Sequence, residues 1–309
     1  MNRPIRPGRF AAGSPSPASG EGNVFEDAVL SLPDGRELAY RWWGEEGGTP
    51  VFRIQGTPSS RLQRNPDPSV RKDLGVRYLM ADRPGYGGST RKPGRGIADV
   101  ADDLAALLDH LGLDRIPAMG TSGGGPHVLA LAARHPERLS SVTVVVGASP
   151  LAADEVQNMV GVNARGYALA EEGWQQLHDF LAEVRERLLS PEGMQGVLGD
   201  APPTDRALMQ DPAWQQMSRE NIAETLKQGA EGWTDESMAI HGEWDFDPAT
   251  VRAHVTWWHG DDDKNAPLSA ARRVTETMRD VDLRVWRHEG HFVSLTHDRE
   301  IVEELISRS

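Results

Sequence analysis

Along residues 28–44, AVLSLPDGRELAYRWWG, apolar and polar side chains alternate on either side of Pro33-Asp34-Gly35. A period of two interrupted by a turn triplet predicts two strands joined as a hairpin. Short apolar runs in PVFRIQG (50–56) and VRYLMADRPGYGGS (76–89) each end in a glycine-containing loop and predict a third and fourth strand. Ile97, Val100, Ala101, Leu104, Leu107, Leu108 and Leu111 then recur three and four residues apart, the spacing of one helical face. RIPAMG (115–120) predicts a fifth strand, and the helix behind it carries Val128, Leu129, Leu131 and Ala132 before stopping at His135-Pro136. LSSVTVVVGAS (139–149) holds a continuous β-branched run, as expected of a strand covered on both faces.

Strands alternating with helices predict the α/β class, a mostly parallel sheet flanked by helices, with the first hairpin as an antiparallel edge. Between Leu151 and Glu243 the texture changes to Glu, Gln, Ala, Met and Trp. Helical patterns run over 171–189 and 218–227, and LGDAPPTD (198–205) interrupts them. The strand–helix rhythm returns with AHVTWWHG (253–260), a helix over 268–278, DLRVWRHEG (282–290) and a last helix ending near Ser307. The expected organisation is an α/β core in two parts, 24–150 and 246–309, separated by a helical insertion over 151–245. No internal repeat is visible.

Length and charge narrow the function. At 309 residues the chain reaches the size at which a single core stops growing, about 250–300 residues. Mean hydropathy of -0.50 fits a soluble globular protein, and no apolar run approaches the roughly 20 residues that span a bilayer. The first 23 residues hold Arg3, Arg6 and Arg9 but no apolar segment behind them, so they fail as a secretory signal. Their Pro, Gly and Ser content predicts a disordered tail. A formal charge of -13 argues against a nucleic-acid partner, which needs Lys and Arg against phosphate. Zero cysteines removes disulfides, thiolate metal sites and cysteine nucleophiles together. The expectation is a cytoplasmic protein acting on a small molecule, with no membrane partner. Its oligomeric state stays open between monomer and dimer.

The chemistry centres on GTSGGGPHVLALAARHP, residues 120–136. Gly120-Thr121-Ser122-Gly123-Gly124 matches G-x-S-x-G, in which a sharp strand-to-helix turn projects a serine hydroxyl above the sheet. Small neighbours are required because a Cβ on either side would strike the adjoining strand or helix. The helix that follows offers unpaired N–H groups and a positive dipole end to a developing anion. A Walker loop is excluded because no lysine follows, and the dinucleotide fingerprint fails because its third glycine falls on Val128.

A serine hydroxyl needs a base to take its proton, and the base needs an orienting acid. Downstream lie WWHGDDDKNAP and WRHEGHFVSL, both at predicted strand ends, where open α/β sheets bind ligands. With QGTPSS, DRPGYGGS, GTSGG and the pair HGDDDKNAP and EGHF on the page, the chain over about 24–309 resembles the α/β-hydrolase superfamily and its lid-bearing serine hydrolases. The resemblance implies Ser122 as nucleophile, Asp263 as triad acid and His291 as base. It also implies backbone N–H groups of Gly123 and Thr57 as oxyanion donors, with Gly56 beside them. Asp261 and Asp262 remain rivals to Asp263, and His288 and His297 to His291.

The family's usual His-Gly is Gln55-Gly56 here, and glutamine is expected to keep the loop-organising hydrogen bond. His127 is read as packing the elbow helix, and Asp82 and Arg83 as fixing a loop. His288-Glu289-Gly290-His291 has the wrong spacing for a zinc helix, so no metal or cofactor is expected. Met159, Trp174, Met194, Met209, Trp214, Met217, Trp233 and Met238 fall in the insertion and suggest an apolar substrate pocket. The expected activity is acyl transfer to water on a moderately apolar ester, thioester or lactone. The same frame also serves peptide, carbon–carbon bond and acyl-transfer chemistry, or a ligand sensor with little turnover.

Overall fold

Among the described residues eight strands form from the apolar runs: β1 (Glu26–Ser31), β2 (Glu37–Trp43), β3 (Thr49–Ile54), β4 (Val76–Ala81), β5 (Ile116–Thr121), β6 (Leu139–Val145), β7 (Val255–Gly260) and β8 (Val281–Trp286). The computed structural model describes residues 26–157, 159–191, 193 and 202–309. The tail expected over 1–23, and Met194, lie outside the described residues. The strands make one sheet in the order β1-β2-β4-β3-β5-β6-β7-β8. β1 with β2 and β2 with β4 are antiparallel, and every other pair is parallel. The Pro33-Asp34-Gly35 turn sets the hairpin register, with Leu30 opposite Leu38.

Neighbouring residues in a strand point to opposite faces, and both faces are covered. Phe52, Leu79, Val144 and Trp257 point to one side, into a cluster with Leu104 and Leu108 of α2 (Ile97–His110) and Leu129 of α3 (Gly124–Arg134). Their chain neighbours Val51, Tyr78, Val145 and Trp258 point to the other side. This two-sided burial is why these strands read as continuous apolar runs. Each fully buried Leu or Phe contributes about 1.5–3 kcal/mol relative to exposure. The core also carries α1 (Ser69–Asp73) and, among the described residues, three helices near the C-terminus.

Between β6 and β7 the chain forms α4 (Ala153–Val156), α5 (Gly161–Glu172), α6 (Trp174–Leu189), α7 (Pro203–Met209), α8 (Pro212–Thr225) and α9 (Glu231–His241). After β7 come α10 (Leu268–Thr275), α11 (Val293–Thr296) and α12 (Asp298–Ser307). Ile301, Val302 and Leu305 of α12 complete the second apolar face of the sheet. The inserted helices share their own apolar cluster of Leu169, Leu177, Leu181, Val184, Ile222, Leu226 and Trp233, joined by Tyr86 from the loop after β4.

The structure corrects the helical patterns read in this segment. The pattern over 171–189 divides at Gly173, whose φ of 126° separates α5 from α6. The pattern over 218–227 begins earlier, because Asp211 caps α8 by accepting the N–H groups of Ala213 and Trp214. LGDAPPTD does not simply interrupt: its last three residues open α7, with proline at the first helical position. α9 escapes periodicity because it is buried nearly all round, with the polar Thr234, Asp235, Glu236 and Ser237 among its buried residues. Among the described residues no helix is long and apolar enough to cross a membrane.

Candidate active site

β5 runs directly into the turn that carries Ser122, and α3 starts two residues later with Gly123 as its N-cap. Ser122 holds φ at 53°, a left-handed conformation costly for a side-chain-bearing residue. Its N–H donates to the Val145 carbonyl at 2.9 Å, and its own carbonyl accepts from Gly125 at 2.8 Å and Ala148 at 3.0 Å. Those bonds over-determine the turn. A Cβ on Gly120 would lie 2.2 Å from the Gly124 carbonyl oxygen, and one on Gly124 would lie 2.2 Å from that of Ile54. The glycines are therefore a condition for strand and helix to approach this closely.

Three loops at the carboxyl ends of β5, β7 and β8 converge. His291 Nε2 lies 2.9 Å from Ser122 Oγ, and His291 Nδ1 lies 2.7 Å from Asp263 Oδ2. Asp263 Oδ1 accepts the N–H groups of Asn265 (2.8 Å) and Ala266 (2.9 Å), so both carboxylate oxygens are held. Burial would push the Asp263 carboxyl up, but the charge and hydrogen bond of His291 hold it below its usual value. Burial likewise opposes the imidazolium of His291, yet Asp263, by charge and hydrogen bond, and Asp205, by charge, carry it above the ordinary 6.5.

The rivals stand elsewhere. Asp261 accepts the His288 N–H at 2.6 Å, and Asp262 pairs with Lys264 at 3.0 Å. His288 is exposed, and His297 stacks on Trp286 and pairs with Glu289 at 3.3 Å.

Gly56, Thr57 and Gly123 border Ser122 on its other side. A Cβ on Gly56 would meet Ser122 Cβ at 3.3 Å, and one on Gly123 would meet Thr57 Oγ1 at 2.0 Å. Gln55 Nε2 donates to the Ala81 carbonyl at 2.7 Å, a hydrogen bond that ties this loop to β4. Arg83, fully buried, donates to the carbonyls of Gln55 (2.6 Å) and Gly56 (2.7 Å). Asp82 fixes the next turn, accepting the N–H groups of Arg61 at 2.6 Å and Gly88 at 2.9 Å.

Glu236 of α9 organises this region, and nothing local in the sequence singled it out. It is fully buried, pairs with Arg83 and, at 3.1 Å, with Arg95, and meets His127 Nε2 at 2.9 Å. The Thr57 hydroxyl donates to it at 2.9 Å. Burial would raise the Glu236 carboxyl, but the charges of Arg83 and Arg95 hold it well below the usual range. Burial pushes the imidazole of His127 down to about 4, so it stays neutral beside the carboxylate. Removing one partner of a buried ion network strands the others. Glu236→Ala is expected to cost about 3–5 kcal/mol of unfolding free energy, read from the urea midpoint. A loss below about 1 kcal/mol would mean that Arg83 and Arg95 find other partners.

A cavity of about 220 Å³ opens beside Ser122, and its walls include Val162, Leu188, Trp214, Met217, Ile222, Trp233, Phe292 and Leu295. Ser59, Gln63 and Asn221 add polar groups. A smaller space of about 40 Å³ lies against Ser122, Gly123, Tyr167, Ser237 and His241. Of the Met and Trp residues expected to line a pocket, Trp214, Met217 and Trp233 do so. Trp174 instead donates to Asp235 at 2.8 Å, and Met238 packs among the inserted helices. Asp205 of α7, also missed in the sequence, is 2 % exposed and accepts the N–H groups of His291 (2.9 Å) and Phe292 (3.0 Å). A carboxylate in a helical segment reads as a solvated face, so neither Asp205 nor Glu236 carries a signal in one sequence.

A family model described as alpha/beta hydrolase fold matches residues 49–298. A 2-hydroxy-6-oxo-6-phenylhexa-2,4-dienoate hydrolase of Comamonas testosteroni is 27% identical over 88% of this chain and 91% of its own. A bifunctional esterase/perhydrolase of Acinetobacter calcoaceticus is 30% identical over 39% of this chain and 44% of its own. For five of the curated relatives, the match spans only 27% to 66% of the relative's length. Among solved structures, the enol-lactonase from Burkholderia xenovorans LB400 superposes with a TM-score of 0.68 at 19% identity, covering 91% of this chain and 99% of that one.

Proposed function

The chain belongs to the alpha/beta hydrolase fold family, and from that premise we propose that it is a serine hydrolase of moderately apolar small-molecule esters, thioesters or lactones. One observation carries this reading: Ser122, His291 and Asp263 stand in a single hydrogen-bonded row, and Ser122 and His291 line the larger of the two spaces. His291 Nε2 takes the hydroxyl proton as Ser122 Oγ attacks the acyl carbonyl, and Asp263 fixes the tautomer and steadies the imidazolium. The N–H groups of Gly123 and Thr57 receive the developing oxyanion, a contribution of about 3–4 kcal/mol per donor in such sites. The protonated imidazole then gives its proton to the leaving oxygen or sulfur. Water, deprotonated by the same nitrogen, attacks the acyl-enzyme and releases the acid.

The inserted helices act as a lid that supplies the apolar wall through Trp214, Met217 and Trp233. A second reading, cleavage of a carbon–carbon bond next to a carbonyl, is favoured by the named activity of the Comamonas relative, which aligns over most of both chains. A panel of chromogenic esters, thioesters, lactones, amides and vinylogous 1,5-diketones separates the two. Hydrolysis of the first three, and fluorophosphonate labelling of Ser122, are the expected results. The acid limb of kcat/KM should fall above the ordinary imidazole value of 6.5, because the neutral base is required and its pKa is raised. An unlabelled protein inert on the whole panel would end the proposal.

A further inference from the structure

We propose that Asp205, on the inserted helix α7, is a positioning residue for His291: its carboxylate grips the backbone of the histidine loop and holds the imidazole against Ser122. This rests on the serine-hydrolase reading above. The contact is a fork, with one oxygen accepting the N–H of His291 at 2.9 Å and the other that of Phe292 at 3.0 Å. Two consecutive amides on one carboxylate fix both the position and the tilt of the peptide that carries the base. The fit leaves no slack. A Cβ on Gly290 would lie 2.5 Å from one Asp205 oxygen and 2.7 Å from the other, so residue 290 has to be glycine for the grip to close.

The same loop needs outside support. It leaves β8 at Trp286, passes through His288 at φ 61°, and reaches His291 before the short helix α11 begins. Support comes from the insertion. Met209, Trp214 and Met217 form an apolar cluster that also takes in Phe292 and Leu295, and the rings of Trp214 and Phe292 meet edge-on at 5.5 Å. Trp214 and Met217 also line the cavity wall. The segment that shapes the substrate space is thus bonded to the backbone of the base. Seating of the inserted helices and alignment of His291 on Ser122 are one event.

Charge adds to geometry. His291 is faced by Asp263 at Nδ1, Asp205 at its backbone and Ser122 at Nε2, while buried His259 lies 3.7 Å behind Asp263. Burial lowers the His259 pKa, which favours the neutral form of that ring. Asp205 is therefore a second carboxylate favouring the imidazolium that forms during Ser122 attack. Burial pushes its own carboxyl up, and the two N–H bonds with the nearby imidazole offset part of that rise.

The test is pH-resolved steady-state kinetics on full-length Asp205→Asn and Asp205→Ala, with thermal melts and fluorophosphonate labelling rates. Ser122→Ala and His291→Ala serve as comparators. Asp205→Asn keeps the shape but loses the charge and one of the two acceptor oxygens, and should lower kcat about tenfold. Asp205→Ala should lower it about 100-fold, the scale of a base displaced by about 1 Å. KM should stay within about threefold, since no substrate contact is removed. Labelling of Ser122 should slow in step with kcat. In both variants the acid limb of kcat/KM should move to lower pH, because removing a negative charge lowers the His291 pKa; a merely structural carboxylate would not move it. Folded variants with wild-type kcat and an unmoved acid limb overturn the proposal while leaving the hydrolase reading intact. Variants that lose only thermal stability, or that both fail to fold, mark the carboxylate as structural and overturn it likewise. Wild-type turnover in Ser122→Ala and His291→Ala overturns both readings.

Discussion

Ser122→Ala is expected to lower kcat on the order of 10⁶-fold, measured on whichever chromogenic ester the wild type turns over best. On the proposed mechanism no acyl-enzyme can form without Oγ, and His291 Nε2 loses the hydroxyl that lies 2.9 Å away. What remains is activation of water by the same imidazole and whatever oxyanion stabilisation survives. The serine position also carries a stability prediction of opposite sign. Ser122 sits at φ 53°, and left-handed backbone costs a residue with a Cβ about 1–2 kcal/mol. Alanine keeps that penalty, so Ser122→Ala should melt close to wild type. Glycine removes it, and Ser122→Gly should be equally inactive yet melt about 1–3 °C higher after its larger unfolded-state entropy is counted. A lower melting point for the glycine variant than for alanine would show that the turn is not strained at this residue.

The parts of this molecule that were legible in the sequence are those whose physics is local. The strands announced themselves because both sheet faces are covered, as the opposite pointing of Trp257 and Trp258 shows. The elbow announced itself because Gly120 and Gly124 have to be glycine for steric reasons that act over a few residues. Choosing among Asp261, Asp262 and Asp263 needed the family resemblance, since nothing in three adjacent carboxylates says which one turns inward. The insertion is only roughly legible. Its helices bury polar residues such as Asp235 and Glu236, which erase the apolar periodicity on which helix detection depends. Partners distant in the chain were invisible: Glu236 meets Arg83 across 153 residues, and Asp205 meets His291 across 86. Such pairings are created by folding and leave no spacing to count.

The three adjacent aspartates provide the other large effect. Asp263→Asn is expected to lower kcat about 10⁴-fold at neutral pH, with the protein folded and Ser122 in place. The carboxylate uses one oxygen for the N–H groups of Asn265 and Ala266 and the other for His291 Nδ1. An asparagine that keeps its carbonyl on the two backbone groups turns its NH₂ toward Nδ1. That nitrogen then has to accept rather than donate, the ring proton moves to Nε2, and Nε2 can no longer take the proton of Ser122. The loss is one of tautomer, not of fold, so high pH should restore little. Asp262→Asn removes only an exposed pair with Lys264, worth less than about 1 kcal/mol, and should leave kcat within about threefold. Asp261→Asn disturbs the acceptor for the His288 N–H, which lies three residues before the base, and should act through loop order with a smaller loss than Asp263→Asn. Equal damage from all three substitutions would mean that the local negative charge matters and the hydrogen bond at Nδ1 does not, a result incompatible with a tautomer-fixing carboxylate.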